Sequence, residues 1–444
     1  MQAKSISQQN LDDFSRQYNG DCCRLAMTNA FSRTAIDELA FNKKAAEKLQ
    51  HKFSIHIETM KATAQLQSGR CWLFAALNVL REKLAKDLNL EEFEFSQSYA
   101  AFWDKFERVN YFYECVLETA ALPLDDRTVA HILRTGVEDG GQWDMFVNLV
   151  EKYGVVPKDA MTETYQSGHT HMISHLLNQS LKKGALALRE MAQAGEGEDA
   201  LQQKKNQLLG QAYSFLCSCY GEPPKTFDFE YVDKDKVYHC QRNLTPRAFF
   251  QQYIGSLERY VSIINAPTAD KPYNKTYTVQ YLGNVVGGRQ VKYLNLPMQE
   301  LKEAVIAQLK DGQVVWFGSD VGKFGQRELG IWDDKSFDYE LATGLDIQLT
   351  KEQRLDSWDS CMTHAMVITG VNLDENGKPN RWRIENSWGD DKGDKGYYVC
   401  SDSWFDLLVY QAVIDKKYLG EKAALLDQEP VLLKPWDPMG ALAR

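Results

Sequence analysis

Three features common in secreted and membrane proteins are missing from this 444-residue sequence. No uninterrupted apolar run approaches the ~20 residues that a transmembrane helix needs. The first 19 residues are polar and contain no apolar stretch of the kind found in secretory signals. The nine cysteines are an odd number without regular spacing, which is typical of reduced thiols rather than of a disulfide framework. We therefore expect a cytoplasmic protein that has no membrane partner.

The sequence also lacks a basic excess. It has 51 Lys and Arg against 61 Asp and Glu, which gives a formal net charge of -10. Proteins that bind nucleic acid through its phosphates usually carry surplus positive charge on the binding face, so we expect no nucleic-acid partner. Hydrophobic residues make up 44% and charged residues 25%, which is the composition of a soluble globular protein rather than a disordered one.

The pattern of apolar residues changes along the chain and predicts an α+β protein. Helical spacing prevails at the beginning and is strong from Cys71 onward, where leucines recur on one helix face. Long polar helices follow in the middle, and short apolar runs bounded by turn residues, typical of strands, follow Met298. The last part carries Pro430, Pro435 and Pro438, so we expect an extended arm there.

Cys71 is the first candidate for chemistry. It follows Ser-Gly-Arg and begins an amphipathic helix, whose N-terminus carries partial positive charge and favours a thiolate over a thiol. A thiolate is the nucleophile for acyl transfer when a neighbouring imidazole can move the proton. A single cysteine on a helix is more often a small buried hydrophobe, so Cys71 alone does not predict catalysis.

Three further residues change that interpretation. Gln65 precedes Cys71 by six residues, and His364 opens a β-like run. Asn386 stands 22 residues after the histidine, in Asn-Ser-Trp-Gly. This order of Gln, Cys, His and Asn resembles that of the papain-like cysteine peptidases. The resemblance implies that Cys71 attacks the scissile carbonyl and His364 transfers the proton. It also implies that Asn386 orients the imidazole and that Gln65 helps to stabilise the oxyanion.

The same resemblance assigns substrate-binding positions. Trp388 would shield the His–Asn hydrogen bond from water. Gly140 and Gly141, in Glu-Asp-Gly-Gly-Gln-Trp, resemble the glycine pair whose backbone pairs with the substrate chain. Glycine at such a point lets another backbone approach closely.

Two departures from the papain pattern are informative. Ser68 stands where secreted members place a disulfide-bonded cysteine, which agrees with a reducing compartment. His364 follows Cys71 by 293 residues, against roughly 130–150 in the papain pattern. A papain-like chain with such an insertion, with Ser-Gly-Arg-Cys-Trp, and with Pro-Trp-Asp-Pro-Met-Gly-Ala-Leu-Ala near its end resembles the bleomycin hydrolase/aminopeptidase C family.

The residues around Gln65 depart from that family as well. Ala64, Leu66 and Gln67 stand where the resemblance implies Asn, Lys and Ser. We therefore expect the subsites beside the nucleophile to differ from those of the common aminopeptidase.

The resemblance implies a papain-like cysteine peptidase fold, which combines a helical half and a β-rich half with a large helical insertion. We predict five segments: an N-terminal helical arm (1–60), the helical half with the nucleophile (61–160), a mainly helical insertion (161–297), the β-rich half with His and Asn (298–418), and a C-terminal arm that reaches the cleft (419–444).

Other clusters of histidine and cysteine do not predict a metal site. His171 and His175 share a helix face near His169, but position 172 is Met, so the general-base Glu of a zinc-peptidase motif is absent. Cys217 and Cys219 lack the two-residue spacing of a zinc knuckle. We expect neither a metal nor a cofactor.

The predicted function is that of a cysteine aminopeptidase, which releases N-terminal residues from peptides. An endopeptidase with the same residues, and a binding or scaffold protein on a retired peptidase fold, remain alternatives. The resemblance also implies a homohexamer. It places the C-terminal arm in the cleft, with Ala443 and the terminal carboxylate facing the amino group of the substrate. Because Arg444 would add a bulky cation there, we predict that the enzyme removes Arg444 from its own terminus.

Overall fold

The computed structural model describes residues 4–443. Its helices are α1 (Gln8–Gly20), α2 (Cys22–Phe31), α3 (Ile36–Ala40), α4 (Lys43–Ala46), α5 (Cys71–Asp87), α6 (Gln97–Glu118), α7 (Arg127–Thr135), α8 (Trp143–Tyr153), α9 (His171–Gln193), α10 (Glu198–Tyr220), α11 (Pro246–Tyr253), α12 (Met298–Lys310), α13 (Tyr339–Thr343), α14 (Lys351–Asp356) and α15 (Asp402–Leu408). Its strands are β1 (Ile55–His56), β2 (Phe227–Val232), β3 (Tyr238–Leu244), β4 (Tyr260–Ile264), β5 (Lys275–Val279), β6 (Tyr293–Asn295), β7 (Val315–Ser319), β8 (Gly325–Gln326), β9 (Ile331–Trp332), β10 (His364–Leu373), β11 (Pro379–Glu385), β12 (Tyr397–Ser401), β13 (Val409–Asp415) and β14 (Val431–Leu433).

One large sheet forms the frame of the molecule. Its strand order is β14-β5-β6-β4-β13-β7-β10-β11-β12-β9-β8, and β1 also pairs with β10. Strand β10 is antiparallel to β7 on one side and to β11 on the other. Its first eight residues are buried, as expected for a strand that is hydrogen-bonded on both sides and covered on both faces.

Helix α5 packs against β10 and is the central helix of the other half. Most of its residues are buried, and an apolar surface all round is typical of a helix inside a core. The helix begins at Cys71, and no side chain caps its first turn. The first N–H groups of the helix are therefore not used by a cap, and they lie beside the thiol.

The predicted insertion contains both helices and strands. Helices α9 and α10 pack on α6 around a separate apolar cluster that includes Val109, Leu181 and Leu188. After α10 the chain forms the hairpin β2–β3, and β4, β5 and β6 then join the large sheet. The mainly helical expectation for residues 161–297 thus describes their first part only. In β2 the alternation of buried Phe227 and Phe229 with exposed residues has the period of a strand, and this short signal is weaker than that of the long helices before it.

The two ends of the chain differ in structure. The N-terminal part forms α1 to α4, and no residue of α1 or α2 is buried. At the other end, β14 runs parallel to β5 at the edge of the sheet, and a short 3-10 turn follows at Pro438–Gly440. The prolines limit regular helix in this segment, as expected.

The turn after α8 lies where the insertion packs against the helical half, and substitutions of glycine can measure how close this packing is. Gly154 has φ +78°, and a Cβ there would lie 2.1 Å from the carbonyl oxygen of Pro246 at the start of α11. Gly195 has φ +80° but open space around it. Gly195→Ala should cost about 1–2 kcal/mol of unfolding free energy through the backbone alone. Gly154→Ala should cost about 1–3 kcal/mol more from overpacking. Thermal and denaturant unfolding would measure both, and equal losses would contradict the close contact.

Candidate active site

Cys71 lies at the contact between α5 and β10 and has no exposed surface. Its Sγ accepts a hydrogen bond from the backbone N–H of Ala365 at 3.4 Å, so β10 brings the residue after His364 to the thiol. Burial raises the pKa of the Cys71 thiol to about 12, while the N–H groups of Ala365 and Trp72 act in the opposite direction. The helix N-terminus favours the thiolate as expected, but by less than burial disfavours it. The thiol therefore needs a proton acceptor beside it.

His364 and Asn386 are joined directly. The Nε2 atom of His364 lies 2.9 Å from Oδ1 of Asn386, and both side chains are buried. Asn386 Oδ1 also accepts the backbone N–H of Ser387 at 2.8 Å. Because this oxygen can only accept, Nε2 of His364 donates, and Nδ1 becomes the ring nitrogen that can take a proton.

Trp388 covers this pair. Its ring centroid lies 4.9 Å from that of His364. The guanidinium carbon of Arg327 lies over the Trp388 ring, 4.5 Å from its centroid, in a cation–π contact. The indole thus separates the histidine from solvent, which strengthens the buried His–Asn hydrogen bond.

Gln65 is fixed beside the nucleophile through both ends of its amide. Its Nε2 donates to the carbonyl of Ser68 at 2.6 Å, and its Oε1 accepts from the hydroxyl of Ser387 at 2.6 Å. The backbone N–H of Gln65 donates to the carbonyl of Ser387 at 2.8 Å. An Nε2 amide has two hydrogens, so the bond to Ser68 leaves a second one that can donate to an oxyanion.

Asp139 links the segment before Cys71 to the Gly140–Gly141 pair. Its carboxylate accepts the backbone N–H of Gly69 at 3.1 Å and forms an ion pair with Lys105, and its carbonyl accepts from the Trp72 indole at 2.7 Å. Burial acts to raise the pKa of Asp139, but the charge of Lys105 and hydrogen bonds from Lys105, Thr170 and Gly69 outweigh it and hold the pKa well below its usual value. The carboxylate is therefore ionised near neutral pH.

Gly141 lies at the wall of the cleft. A Cβ at this residue would come within 2.5 Å of the Trp72 ring, so only glycine fits against the residue after the nucleophile. The neighbouring Gly140 uses its carbonyl to accept a hydrogen bond from Arg108. The backbone N–H of Gly141 donates to the carbonyl of Ala443 at 3.0 Å, in an antiparallel bridge.

The C-terminal arm thus occupies the position at which a peptide backbone can pair with Gly141. Ala443 is fully buried there. The Gln142 side chain donates to the carbonyl of Ala441 at 2.7 Å, and the hydroxyl of Tyr293 donates to the carbonyl of Met439 at 3.2 Å. Gly141, Gln142 and Tyr293 therefore hold the arm by hydrogen bonds to its backbone carbonyls.

Two side chains anchor the arm before it enters the cleft. Asp437 forms an ion pair with the buried Lys271 at 3.0 Å. The guanidinium carbon of Arg127 lies 3.7 Å from the ring centroid of Trp436. Arg444, whose removal the sequence analysis predicts, lies outside the described residues.

Comparisons with known proteins identify the family of this chain. The model of the Peptidase C1-like family matches residues 5–440. The chain belongs to this family. It is 47% identical to Aminopeptidase C of Lactobacillus delbrueckii subsp. lactis, over 99% of each chain. It is 39% identical to human bleomycin hydrolase, over 100% of each chain. A crystal structure of PepW from Lactobacillus rhamnosis superposes with a TM-score of 0.97, at 48% identity over 99% of each chain.

These matches confirm three predictions: the resemblance to the bleomycin hydrolase/aminopeptidase C family, the papain-like α+β fold, and the assignment as a cysteine peptidase. The roles given to single residues of this Peptidase C1-like chain stay predictions. The structure does bring Gln65, Cys71, His364 and Asn386 into one site, with Trp388 and the Gly141–Ala443 pair at its borders.

Several residues of the site were not singled out from the sequence. Ser387 holds the Gln65 amide, Gln142 binds the arm, and Asp139 ties the cleft wall to the nucleophile loop. All three lie inside the short motifs that drew attention to their neighbours. A polar residue next to a catalytic candidate is the only signal that could have identified them, and it does not say which partner each would bind.

The three residues near Gln65 that depart from the family pattern, at positions 64, 66 and 67, are exposed. Ala64 forms a backbone bridge with Trp388, and Gln67 forms one with His169. Leu66 has φ +56° and is 59% exposed, so its apolar side chain borders the site. The expectation of altered subsites stays a prediction.

The remaining candidates lie outside this constellation. The rings of His171 and His175 stack 6.4 Å apart on α9. Within residues 4–443, no group of three or more His, Cys, Asp or Glu side chains is placed to hold a metal ion. None of the helices in the same part of the chain is both long and apolar enough to span a membrane.

The raised pKa of Cys71 generates a prediction about thiol reactivity. In the intact enzyme His364 can take the proton, so Cys71 should react with iodoacetamide near neutral pH. His364→Ala removes the acceptor and leaves a buried thiol, whose alkylation at pH 7 should fall by about 100-fold or more and should rise steadily with pH. Mass spectrometry of the Cys71 peptide over a pH series would measure the rate, and His175→Ala is a matched control on an exposed histidine. Equal rates for His364→Ala and the wild type at pH 7 would contradict the pairing.

Proposed function

We propose that the chain is a cysteine aminopeptidase, which removes N-terminal residues from peptides through Cys71, His364 and Asn386. The observation that carries this proposal is the backbone pairing of Ala443 with Gly141 at one side of the nucleophile. A papain-like cleft is open at both ends, and an arm that fills one end leaves room for little of the substrate before the scissile bond.

The chemistry follows from the site. Nδ1 of His364 takes the thiol proton, and the sulfur of Cys71 attacks the scissile carbonyl carbon to form a tetrahedral adduct. The second amide hydrogen of Gln65 stabilises the oxyanion of that adduct. The imidazolium then protonates the leaving amine as the C–N bond breaks, which yields a thioester. Water, deprotonated by the same imidazole, hydrolyses the thioester and restores the thiol.

Asn386 has a supporting part in each step. Its Oδ1 accepts from Nε2 of His364, so the imidazole keeps one orientation and Nδ1 is left as the nitrogen that takes the proton. Because Oδ1 is also fixed by the N–H of Ser387, the amide does not rotate freely. The imidazolium form is stabilised by the same acceptor, and this favours the thiolate that burial otherwise opposes.

The arm determines where a substrate can begin. With Ala443 bound to Gly141, the acyl part of a substrate has to end near this point, so its α-amino group would lie next to the end of the arm. An α-amine has a pKa of about 7.7–8.0 and is largely protonated at neutral pH, so a terminal carboxylate would attract it. The substrates are therefore peptides with a free amino terminus.

The endopeptidase alternative requires the arm to leave the cleft. The contacts of Ala441, Ala443, Asp437 and Trp436 described above oppose this. The retired-scaffold alternative requires a missing or displaced catalytic group, whereas all four predicted residue types are present and His364 and Asn386 are hydrogen-bonded to each other.

We further propose that the protein works in a reducing compartment, the cytoplasm. The nine cysteines, which all fall within the described residues, are free thiols. The Ser68 hydroxyl, at the position of a disulfide cysteine in secreted relatives of papain, is instead used within the site: it donates to the Gln65 carbonyl at 2.6 Å and accepts from Arg70 at 2.9 Å.

We also propose self-association, with a hexamer as the expected state. Helix α1 has no buried residue, and Leu11, Phe14 and Tyr18 recur at helical spacing on one face with 44–58% of their surface exposed. An exposed apolar stripe of this kind is typical of a protein interface. Six chains of 50.8 kDa would give about 305 kDa.

The aminopeptidase proposal predicts how truncation changes the substrate range. The wild type should hydrolyse aminoacyl amides with a free amine and refuse amino-blocked peptides. Deleting residues 439–444 should reduce aminopeptidase turnover by about 10-fold or more and admit blocked peptides, because the Gly141 site becomes free. Deleting residue 444 alone keeps the arm contacts and serves as the control, while Cys71→Ala should lack both activities. A truncated enzyme that still refuses blocked peptides would show that the arm does not set the exopeptidase mode.

The assembly proposal predicts a large particle that depends on α1. Multi-angle light scattering at micromolar concentration should give about 305 kDa for the wild type. Phe14→Ser together with Leu11→Ser should lower this mass, because each change places a polar group in the apolar stripe. Leu124→Ser, at an exposed leucine in the loop after α6, is the matched control and should leave the mass unchanged. A wild-type monomer with full activity would remove assembly from the proposal.

A further inference from the structure

A buried ionic junction joins α5, which begins with Cys71, to the end of β11, directly before Asn386. Glu385 is the last residue of β11 and directly precedes Asn386. Its Oε1 accepts from Nδ2 of Asn78 at 2.8 Å and from Nη2 of Arg81 at 2.7 Å. These three residues are at most 3% exposed. The mechanism described above uses none of them.

The partners of Glu385 lie on α5, which begins with Cys71. Asn78 follows Cys71 by seven residues, two helical turns, and so lies on the same face of the helix. Arg81 is one further turn along and also donates to the carbonyl of Met60 at 3.3 Å. One carboxylate oxygen therefore links the helix of the nucleophile to the backbone of Asn386 without passing through His364.

Stability alone is a weak explanation for this junction. Taking a carboxylate and a guanidinium out of water costs several kcal/mol per ion, and apolar replacements of similar volume are often as stable or more stable. Buried polar groups of this type are best attested where they fix one arrangement among several. Here the arrangement to be fixed is the distance between α5, which begins with Cys71, and the end of β11, which precedes Asn386.

We infer that Glu385 is a positioning residue, which holds Asn386, and through it the His364 imidazole, at the correct place relative to Cys71. This inference rests on the proposed triad. The link is short, because Asn386 Oδ1 lies 2.9 Å from Nε2 of His364 and Sγ of Cys71 contacts the N–H of Ala365. A shift of Glu385 would move the asparagine away from an imidazole whose strand is fixed separately against α5.

The charges around Glu385 make its effect dependent on pH. Burial raises the pKa of Glu385 to about 7, although Arg81 acts to lower it. Glu82 of α5 raises the pKa further and Arg383 of β11 lowers it, while the Tyr397 phenol of β12 lies nearby with its own pKa raised by burial. Above about pH 7 the carboxylate is charged and binds Arg81, and below that pH it is protonated. Glu385→Gln is thus an imitation of the low-pH form.

The test compares Glu385→Gln with the wild type across pH 5.5 to 8.5. At pH 8 the variant should lose about 10-fold or more in kcat, because the His364 imidazole is displaced from the position in which it transfers the proton. KM should change less than about twofold, because the residues that bind the substrate are unchanged. The deficit should shrink as the pH falls through about 7, where the wild type itself becomes protonated. Alkylation of Cys71 by iodoacetamide, which needs no substrate, should slow in parallel.

Asp402→Asn is the matched control. Asp402 accepts from the indole of Trp382 on the same strand β11 and pairs with the buried Lys302, but it lies away from the site. It should lower the unfolding temperature without changing kcat or its pH profile. If Glu385→Gln behaves in the same way as this control, Glu385 is only a packing residue and the inference fails.

A gentler variant guards against loss of the fold. Asn78→Ala removes one hydrogen bond to Glu385 and keeps the ion pair with Arg81, and it should lower kcat by about 2–5-fold at unchanged KM. An unchanged kcat in this variant would also overturn the inference. The proposed triad is tested independently, because a fully active Cys71→Ala would remove it whatever the result at Glu385.

Discussion

The packing of Cys71 between the start of α5 and strand β10 is the constraint on which the site depends. Complete burial places the sulfur against the strand that carries His364, and it removes the water that would solvate a thiolate. The same burial raises the pKa of the thiol to about 12, so the nucleophile exists only if neighbouring groups supply a compensating charge. Under the proposed function, His364 supplies this charge by taking the proton, with its imidazole hydrogen-bonded to Asn386 and packed against Trp388.

Close packing at the same helix turn also shapes the cleft. Trp72 follows the nucleophile and leaves no space for a side chain at residue 141, so that backbone N–H is open to another chain. In this structure the other chain is the arm, through Ala443. The residue that excludes a Cβ and the proposed nucleophile are thus neighbours on one helix. The backbone position that pairs with the arm is therefore set by packing against the helix that begins with Cys71.

Much of the fold and of the site could be predicted from local sequence patterns. The features that could not be predicted in this way share one cause. The helix that begins at Cys71 and the strand that begins at His364 have clear periods, and both are where the sequence predicts them. The hairpin of β2 and β3 lies in a segment expected to be helical, since its alternation covers few residues beside two long helices. The family motifs brought Gln65, Cys71, His364 and Asn386 together. Partners such as Ser387 and Glu385 depend on contacts between segments some 300 residues apart, which no local pattern encodes.

Chemistry and substrate choice rest on different parts of the chain. The proposed triad lies at the start of α5, at the start of β10 and directly after β11, and these are central elements of the fold. The arm joins the edge of the sheet through β14 on β5, and beyond it the arm is held by backbone hydrogen bonds and two side-chain anchors. Such a segment opens at lower free energy than a central helix does. Under the proposed function, a change in the arm would alter the length of substrate that is accepted without altering the bond-breaking step, because the contacts that hold the arm do not involve Cys71, His364 or Asn386.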